Sequence, residues 1–157
     1  MERLVVVGIA HNTGTFGALQ RVAMSADEVG RVARLLMDLG LPEPLILSTC
    51  NRVEIYHAGT SPRVELIRDV IVEVKGAGAV PVDAFFVLKG AEAVEHLFRV
   101  ACGLESMVLG EPEVLGQIKG AYKRATDEGW LSSHAMRLIF EQAFRVAKRV
   151  RTETDIA

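Results

Sequence analysis

The chain has 157 residues, of which 50% are hydrophobic and 24% are charged, and its formal net charge is −2 at pH 7. This balance predicts a globular domain and excludes a disordered chain, because a chain of this length can bury about two-thirds of its unfolded surface. The sequence has neither the roughly 18 consecutive apolar residues of a membrane helix nor a basic signal peptide. We therefore expect a cytoplasmic protein that does not enter a membrane.

The first part of the chain, residues 1–89, predicts an antiparallel sheet with two helices on one face. Apolar runs that end in turn residues predict strands at 4–10, 44–48, 53–57 and 85–88. Ser25, with Glu28 three residues later, forms a capping box that predicts the start of a helix. Ser61 followed by Pro62 predicts the start of another. The order strand, helix, strand, strand, helix, strand is that of the ferredoxin-like split β-α-β unit, an α+β fold.

The second part, residues 90–157, predicts only helices. Helical spacing of apolar residues is found at 92–101, 113–127 and 133–153, and the last of these predicts a long connecting helix. No polar linker separates the two parts, so we expect one domain over 1–157. The final residues carry no capping glycine and no polar tail, and we expect the natural protein to continue beyond them.

Two cysteines are too few for a disulfide framework, and we expect both to be free thiols. Cys50 lies in a polar bend between two predicted strands, two residues before Arg52. A partly exposed thiol beside a cation favours the nucleophilic thiolate, whereas the alternative is a small inert apolar residue. Cys102 follows an apolar helical run and has no charged immediate neighbour, so the inert interpretation is kept for it.

The other candidate chemistry is limited. No glycine-rich dinucleotide motif follows a strand, and the four histidines share no metal-ligand spacing with one another or with the cysteines. His96 lies on the polar side of its predicted helix. It is either a solvated histidine or a proton-transfer group, if that side faces a cleft containing Cys50. The segment 103–113 has the small and polar residues of a ligand-binding loop, and the alternative for Glu113 and Gln117 is a solvated surface.

Four segments together resemble the glutamyl-tRNA reductase family in their order and spacing. They are residues 48–56, 93–98, 103–119 and 147–156. The resemblance implies a catalytic domain whose cysteine thiolate attacks the ester of glutamyl-tRNA and forms a thioester. It further implies that NADPH, held by a domain outside this chain, reduces the thioester to glutamate 1-semialdehyde for tetrapyrrole synthesis. The complete enzyme is then expected to be a homodimer.

The resemblance also implies roles for particular residues. Cys50 matches the nucleophile, and His96 matches a histidine that the family needs for activity. The positions that match the substrate pocket are Thr49, Asn51, Arg52, Ser106, Glu111, Pro112, Glu113 and Gln117. No residue of this chain matches a cofactor or metal ligand.

The chain departs from the family pattern in its first loop, at Ala10 and from Thr13 to Gly17, and at Glu113, where glutamine is common.

A non-catalytic module that binds aminoacyl-tRNA or a partner protein is the alternative function. The basic residues of the last helix are a candidate surface for tRNA, and a solvated charged face is the alternative for them.

Overall fold

The structure is a computed structural model that describes residues 3–13, 16–105 and 113–154. Its strands are β1 (Leu4–Ala10), β2 (Leu45–Ser48), β3 (Arg52–Ala58) and β4 (Phe86–Lys89). Its α-helices are α1 (Phe16–Val22), α2 (Ala26–Asp38), α3 (Val64–Lys75), α4 (Ala91–Ala101), α5 (Glu113–Asp127) and α6 (His134–Thr154). A single 3-10 turn at Val82–Ala84 precedes β4.

The four strands form one sheet in the order β2-β3-β1-β4, and every neighbouring pair is antiparallel. The two inner strands have seven residues each and the two outer strands have four. The predicted α+β fold class is confirmed, and the strand order is the one that the ferredoxin-like arrangement requires.

Helices cover both faces of this sheet. Gly8 is paired with Glu54 and Val6 with Tyr56, so these residues share one face because directly opposite residues point the same way. We call the face that carries Arg52, Glu54 and Tyr56 the Glu54 face. Helices α4 to α6 lie against it, since His96 of α4 bonds Glu54 and the ring of Phe140 in α6 lies 5.6 Å from that of Tyr56.

The opposite face carries Val53, Ile55 and His57, and it packs against helices of the first part of the chain, including α1 and α2. Ser48 lies on this face, and its Oγ accepts a hydrogen bond from the backbone N–H of Met24 between α1 and α2 at 2.9 Å. All residues of β1 and β3 are buried, as expected of strands that are covered on both sides. The sequence placed two helices on one face, and the structure adds that the helical part of the chain covers the other.

Element boundaries agree with the sequence in most places. Ser25 caps α2, with its Oγ accepting from the N–H of Glu28 at 3.2 Å, and the Glu28 carboxylate accepts the N–H of Ser25 at 2.9 Å. The three helical patterns of the second part are confirmed as α4, α5 and α6.

Two expectations about the first part were wrong or incomplete. Helix α3 does not begin at Ser61 and Pro62 but at Val64, after Arg63 in a left-handed conformation with φ 52°. The carbonyl of Pro62 lies 3.3 Å from Nε2 of the buried His57, so Pro62 still contacts β3 before the helix begins. Helix α1 was missed because seven residues containing Gly17 are too few to show a helical period.

No described helix is both long enough and apolar enough to cross a membrane.

Candidate functional site

Cys50 lies at the tip of the tight turn that joins β2 to β3. The Thr49 hydroxyl braces this turn, because its Oγ1 accepts hydrogen bonds from the backbone N–H groups of Asn51 and Arg52 at 3.1 and 3.2 Å. The Thr49 N–H donates to the Arg52 carbonyl at 2.8 Å, and the His11 N–H donates to the Asn51 carbonyl at 2.9 Å. The turn is therefore fixed from both sides, and it leaves the Cys50 side chain exposed.

A small cavity of about 30 Å³ opens beside Cys50. It brings together six of the residues that the sequence assigned to the site. They are Thr49, Cys50, Asn51 and Arg52 from the turn and Glu113 and Gln117 from α5, with Val114 between the last two. A cavity of this size holds about one water molecule. The other assigned residues, Ser106, Glu111 and Pro112, lie outside the described residues.

Arg52 forms a buried wall of this cavity, with only 2% of its surface exposed. Its Nη1 donates to Oε2 of Glu54 at 2.9 Å, and its Nη2 donates to the backbone carbonyl of Glu105 at 2.5 Å. The sequence predicts Arg52 as a cation beside the thiol. The structure shows that the Glu54 carboxylate already pairs this positive charge, and that the guanidinium plane is fixed by two partners.

His96 lies in a neighbouring cavity of about 180 Å³. Asn12 and Thr13 of the first loop also line it, together with Phe86 and Leu88 of β4. The sequence leaves two interpretations open for His96, a solvated residue or a proton-transfer group that faces a cleft containing Cys50. In the structure the two residues line adjoining cavities, and Arg52 contributes to the walls of both.

A buried carboxylate, Glu54, connects these groups. It is inaccessible to solvent, and it accepts hydrogen bonds from Arg52 at 2.9 Å, from Nε2 of His96 at 2.7 Å and from the Tyr56 hydroxyl at 2.6 Å. Burial alone would raise the pKa of Glu54, but the hydrogen bond and charge of His96, together with Arg52 and Tyr56, outweigh it and lower the pKa. Glu54 is therefore ionised near neutral pH.

Tyr56 completes this cluster as a hydrogen-bond donor to Glu54. Burial, and next the nearby charge of Glu54, raise its pKa well above the usual value, so the phenol keeps its proton. We call Arg52, Glu54, Tyr56 and His96 the Glu54 cluster.

Sequence reasoning missed Glu54 and Tyr56 as members of the site. A signal for them was present, because Arg52, Glu54 and Tyr56 alternate with Val53 and Ile55 along a strand. Polar residues at every second position indicate one polar face of a strand. The signal was misleading because such a face is usually solvated, whereas α4 to α6 bury this one.

The second cysteine has a different environment. Cys102 is buried at the end of α4, and burial raises the pKa of its thiol, while Arg151 lowers it to a smaller extent. This environment reduces the thiolate fraction that a nucleophile requires. Within the described ranges, no group of three His, Cys, Asp or Glu residues is placed to hold a metal ion.

Comparison with known proteins decides the family. A family model described as glutamyl-tRNAGlu reductase, N-terminal domain, matches residues 7–154. The chain belongs to this family. The glutamyl-tRNA reductase of Methanopyrus kandleri is 42% identical over the whole of this chain, and that of Saccharophagus degradans is 40% identical over 98% of it.

A solved structure titled glutamyl-tRNA reductase from Methanopyrus kandleri superposes with a TM-score of 0.78 at 40% identity, covering 96% of this chain. The chain spans 36% of the length of each of these two curated glutamyl-tRNA reductases and 34% of the solved chain. The likeness therefore concerns about a third of those proteins.

Proposed function

We propose that this domain carries out the acyl-transfer half of a glutamyl-tRNA reductase, with Cys50 as the nucleophile. The observation that carries the proposal is an exposed thiol at the tip of a braced turn, beside the side chains of Arg52, Glu113 and Gln117. Cys102 is buried, so Cys50 is the accessible thiol of the two.

The reaction is a substitution at the glutamyl ester. The Cys50 thiolate attacks the ester carbonyl carbon, a carbon–sulfur bond forms, and the carbon–oxygen bond to the terminal ribose of the tRNA breaks. The departing ribose oxygen takes up a proton, and the glutamyl group remains on Cys50 as a thioester. No oxidant or reductant takes part in this step.

Arg52 is the proposed recognition group for a glutamate carboxylate. Its guanidinium has five N–H donors, and Glu54 and Glu105 each take one, so further donors are available to a substrate at the cavity wall. The two fixed contacts hold the planar group in one orientation before a substrate arrives, which reduces the entropy lost on binding.

His96 is the proposed proton-transfer group. It lies across Arg52 from the Cys50 cavity, 13% of its side chain is exposed, and an imidazole can exchange protons near neutral pH. We propose that the substrate binds across Arg52, which lines both cavities, with its ester between the thiol and the imidazole.

The reduction by NADPH that the family resemblance implies is assigned to no residue of this chain. A dinucleotide site of the usual kind is built on a sheet whose neighbouring strands are parallel, whereas every neighbouring pair of strands in the described residues is antiparallel. The residues that the structure describes do not fit the cofactor, and the chemistry that we propose for them ends at the thioester.

Mass spectrometry after rapid mixing with glutamyl-tRNA tests this proposal. We expect a glutamyl adduct on the wild-type chain and on Cys102→Ser, and none on Cys50→Ser. An adduct that persists in Cys50→Ser would contradict the assignment. Binding of glutamyl-tRNA by the wild-type chain without any adduct would favour the alternative, a non-catalytic aminoacyl-tRNA-binding module.

A further inference from the structure

The contact between Glu54 and His96 specifies which ring nitrogen carries the proton. Nε2 of His96 lies 2.7 Å from Oε2 of Glu54, a carboxylate with no exposed surface. Arg52 and Tyr56 also hydrogen-bond this carboxylate, and both are donors. An ionised carboxylate only accepts hydrogen bonds, so the shared proton must lie on Nε2 of His96.

The other ring nitrogen is then the one available for chemistry. In a neutral imidazole with its proton on Nε2, Nδ1 carries the lone pair. No residue in the described ranges hydrogen-bonds to Nδ1, and His96 lines the cavity that adjoins Arg52. The ring cannot easily rotate, because it lies 5.3 Å from the ring of Phe86 while Glu54 holds its opposite nitrogen.

We propose that Glu54 is a positioning residue that fixes His96 as the Nε2–H tautomer and leaves Nδ1 as the nitrogen that exchanges a proton during acylation. The first half of this inference concerns the free protein. The second half rests on the proposed function. Glu54 itself touches no substrate in this scheme, because it is fully buried. It acts on the site through its hydrogen bonds with His96 and Arg52.

The surrounding structure explains why the carboxylate can hold its neighbours so closely. Gly8 lies opposite Glu54 on β1, and a Cβ at this position would be 3.0 Å from the Glu54 Cγ and 2.6 Å from the Val53 carbonyl. Glycine therefore leaves room for the Glu54 side chain to pass close to β1.

Nitrogen NMR of the imidazole tests the first half without any substrate. With the imidazole in its neutral form, long-range ¹H–¹⁵N spectra of the wild-type chain should show His96 as the Nε2–H tautomer. Glu54→Gln should shift the population toward the Nδ1–H tautomer, because the amide can donate to Nε2. The matched control is Glu141→Gln, which removes another carboxylate that accepts a tyrosine hydroxyl, that of Tyr122 at 2.6 Å, and it should leave the His96 signals unchanged.

A wild-type spectrum with the proton on Nδ1 would overturn the inference, even if the Glu54→Gln variant does not fold. A folded Glu54→Gln variant whose His96 spectrum matches that of the wild type would overturn it equally.

Acylation by glutamyl-tRNA in a single turnover tests the second half. We expect Glu54→Gln to slow formation of the adduct about tenfold or more, the effect of losing one charge-assisted hydrogen bond, and Glu141→Gln to stay near the wild-type rate. A normal rate in a Glu54→Gln protein with an altered tautomer would show that Nδ1 is not the working nitrogen. If the wild-type chain forms no adduct at all, the proposed function fails, while the tautomer result still stands by itself.

Discussion

Arg52 has a geometry that lysine cannot reproduce. Its guanidinium spans the Glu54 carboxylate and the Glu105 carbonyl at once, whereas an ammonium group is a single point charge. We expect Arg52→Lys to reduce the rate of acylation by on the order of tenfold or more, since one charge-assisted hydrogen bond contributes about 1.5–3 kcal/mol. Single-turnover acylation with glutamyl-tRNA measures the effect.

Arg99→Lys is the matched control for this variant. Arg99 also contacts Glu105, through the side-chain carboxylate at 2.7 Å, but its own side chain is 48% exposed. An exposed ion pair contributes little, so this variant should acylate at close to the wild-type rate. Equal rates in Arg52→Lys and Arg99→Lys would remove Arg52 from the substrate pocket.

His57 should make the stability of the fold depend on pH. It is buried on the sheet face opposite the Glu54 cluster, and burial lowers its pKa from 6.5, against the opposing effect of the Ala58 and Pro62 carbonyls. The unfolded chain then binds a proton more readily than the folded one. The free energy of unfolding should therefore fall as the pH drops below about 6.5 and continue to fall down to the lowered pKa.

Urea unfolding at a series of pH values between about 7 and 5 measures this effect. His57→Gln should flatten the dependence of the midpoint on pH over that range, whatever its effect on absolute stability. His134 is exposed at the start of α6, so His134→Gln should keep the wild-type slope. A slope that is the same in all three proteins would assign the pH dependence to other groups.

Gly8 illustrates how the inner strands constrain one another. A methyl group on this residue would lie 2.6 Å from the Val53 carbonyl and 3.1 Å from the Phe86 ring, and a backbone oxygen cannot move aside cheaply. We expect Gly8→Ala to lower the free energy of unfolding by about 1–3 kcal/mol, the usual effect of overpacking. Chemical denaturation gives this value.

Gly116→Ala, at a glycine within a helix, is the comparison variant for Gly8→Ala. Gly116 lies within α5, and an added Cβ would meet nothing within 4 Å. This substitution should raise the stability by about 0.5–1 kcal/mol, because alanine is the better helix former. If both alanine variants changed the stability in the same direction, the close approach at Gly8 would not be the cause.

The elements that the sequence predicted well are those whose signal is local. The capping box at Ser25 and the apolar spacing of α4 to α6 depend only on residues a few positions apart. The start of α3 was misplaced because Arg63 adopts a left-handed conformation and the Pro62 carbonyl contacts His57 of β3, and the local residue pattern shows neither feature. Helix α1 gave no usable period in seven residues.

At the scale of the whole molecule, the residue motifs and the family resemblance predicted which residues line the Cys50 cavity, but not how the site is arranged in space. The motif around Cys50 indicated the turn, and the structure brings Glu113 and Gln117 to it. The Glu54 cluster depends on which face of the sheet α4 to α6 cover, a long-range packing choice that residue periodicity does not contain. For the same reason, the separation of Cys50 and His96 into two cavities could not be foreseen.

The antiparallel sheet leads to a prediction about cofactor binding. Because no two neighbouring strands in the described part of the chain are parallel, we expect the chain to show no saturable binding of NADPH and to form no semialdehyde from glutamyl-tRNA. The glutamyl adduct should instead be lost slowly to water. Fluorescence titration with NADPH and an aldehyde assay measure the two outcomes, and NADPH-dependent semialdehyde formation by this chain would contradict the expectation.

The unequal strand lengths of the sheet have a consequence for solubility. An outer strand presents unpaired backbone groups that can template association with another chain. Here the long strands, of seven residues, are enclosed, while the two outer strands have only four residues each, and β4 ends in the exposed Lys89. A short edge strand that ends in a positive charge gives a second sheet few backbone groups to pair with. The long inner strands are therefore protected from edge-to-edge aggregation.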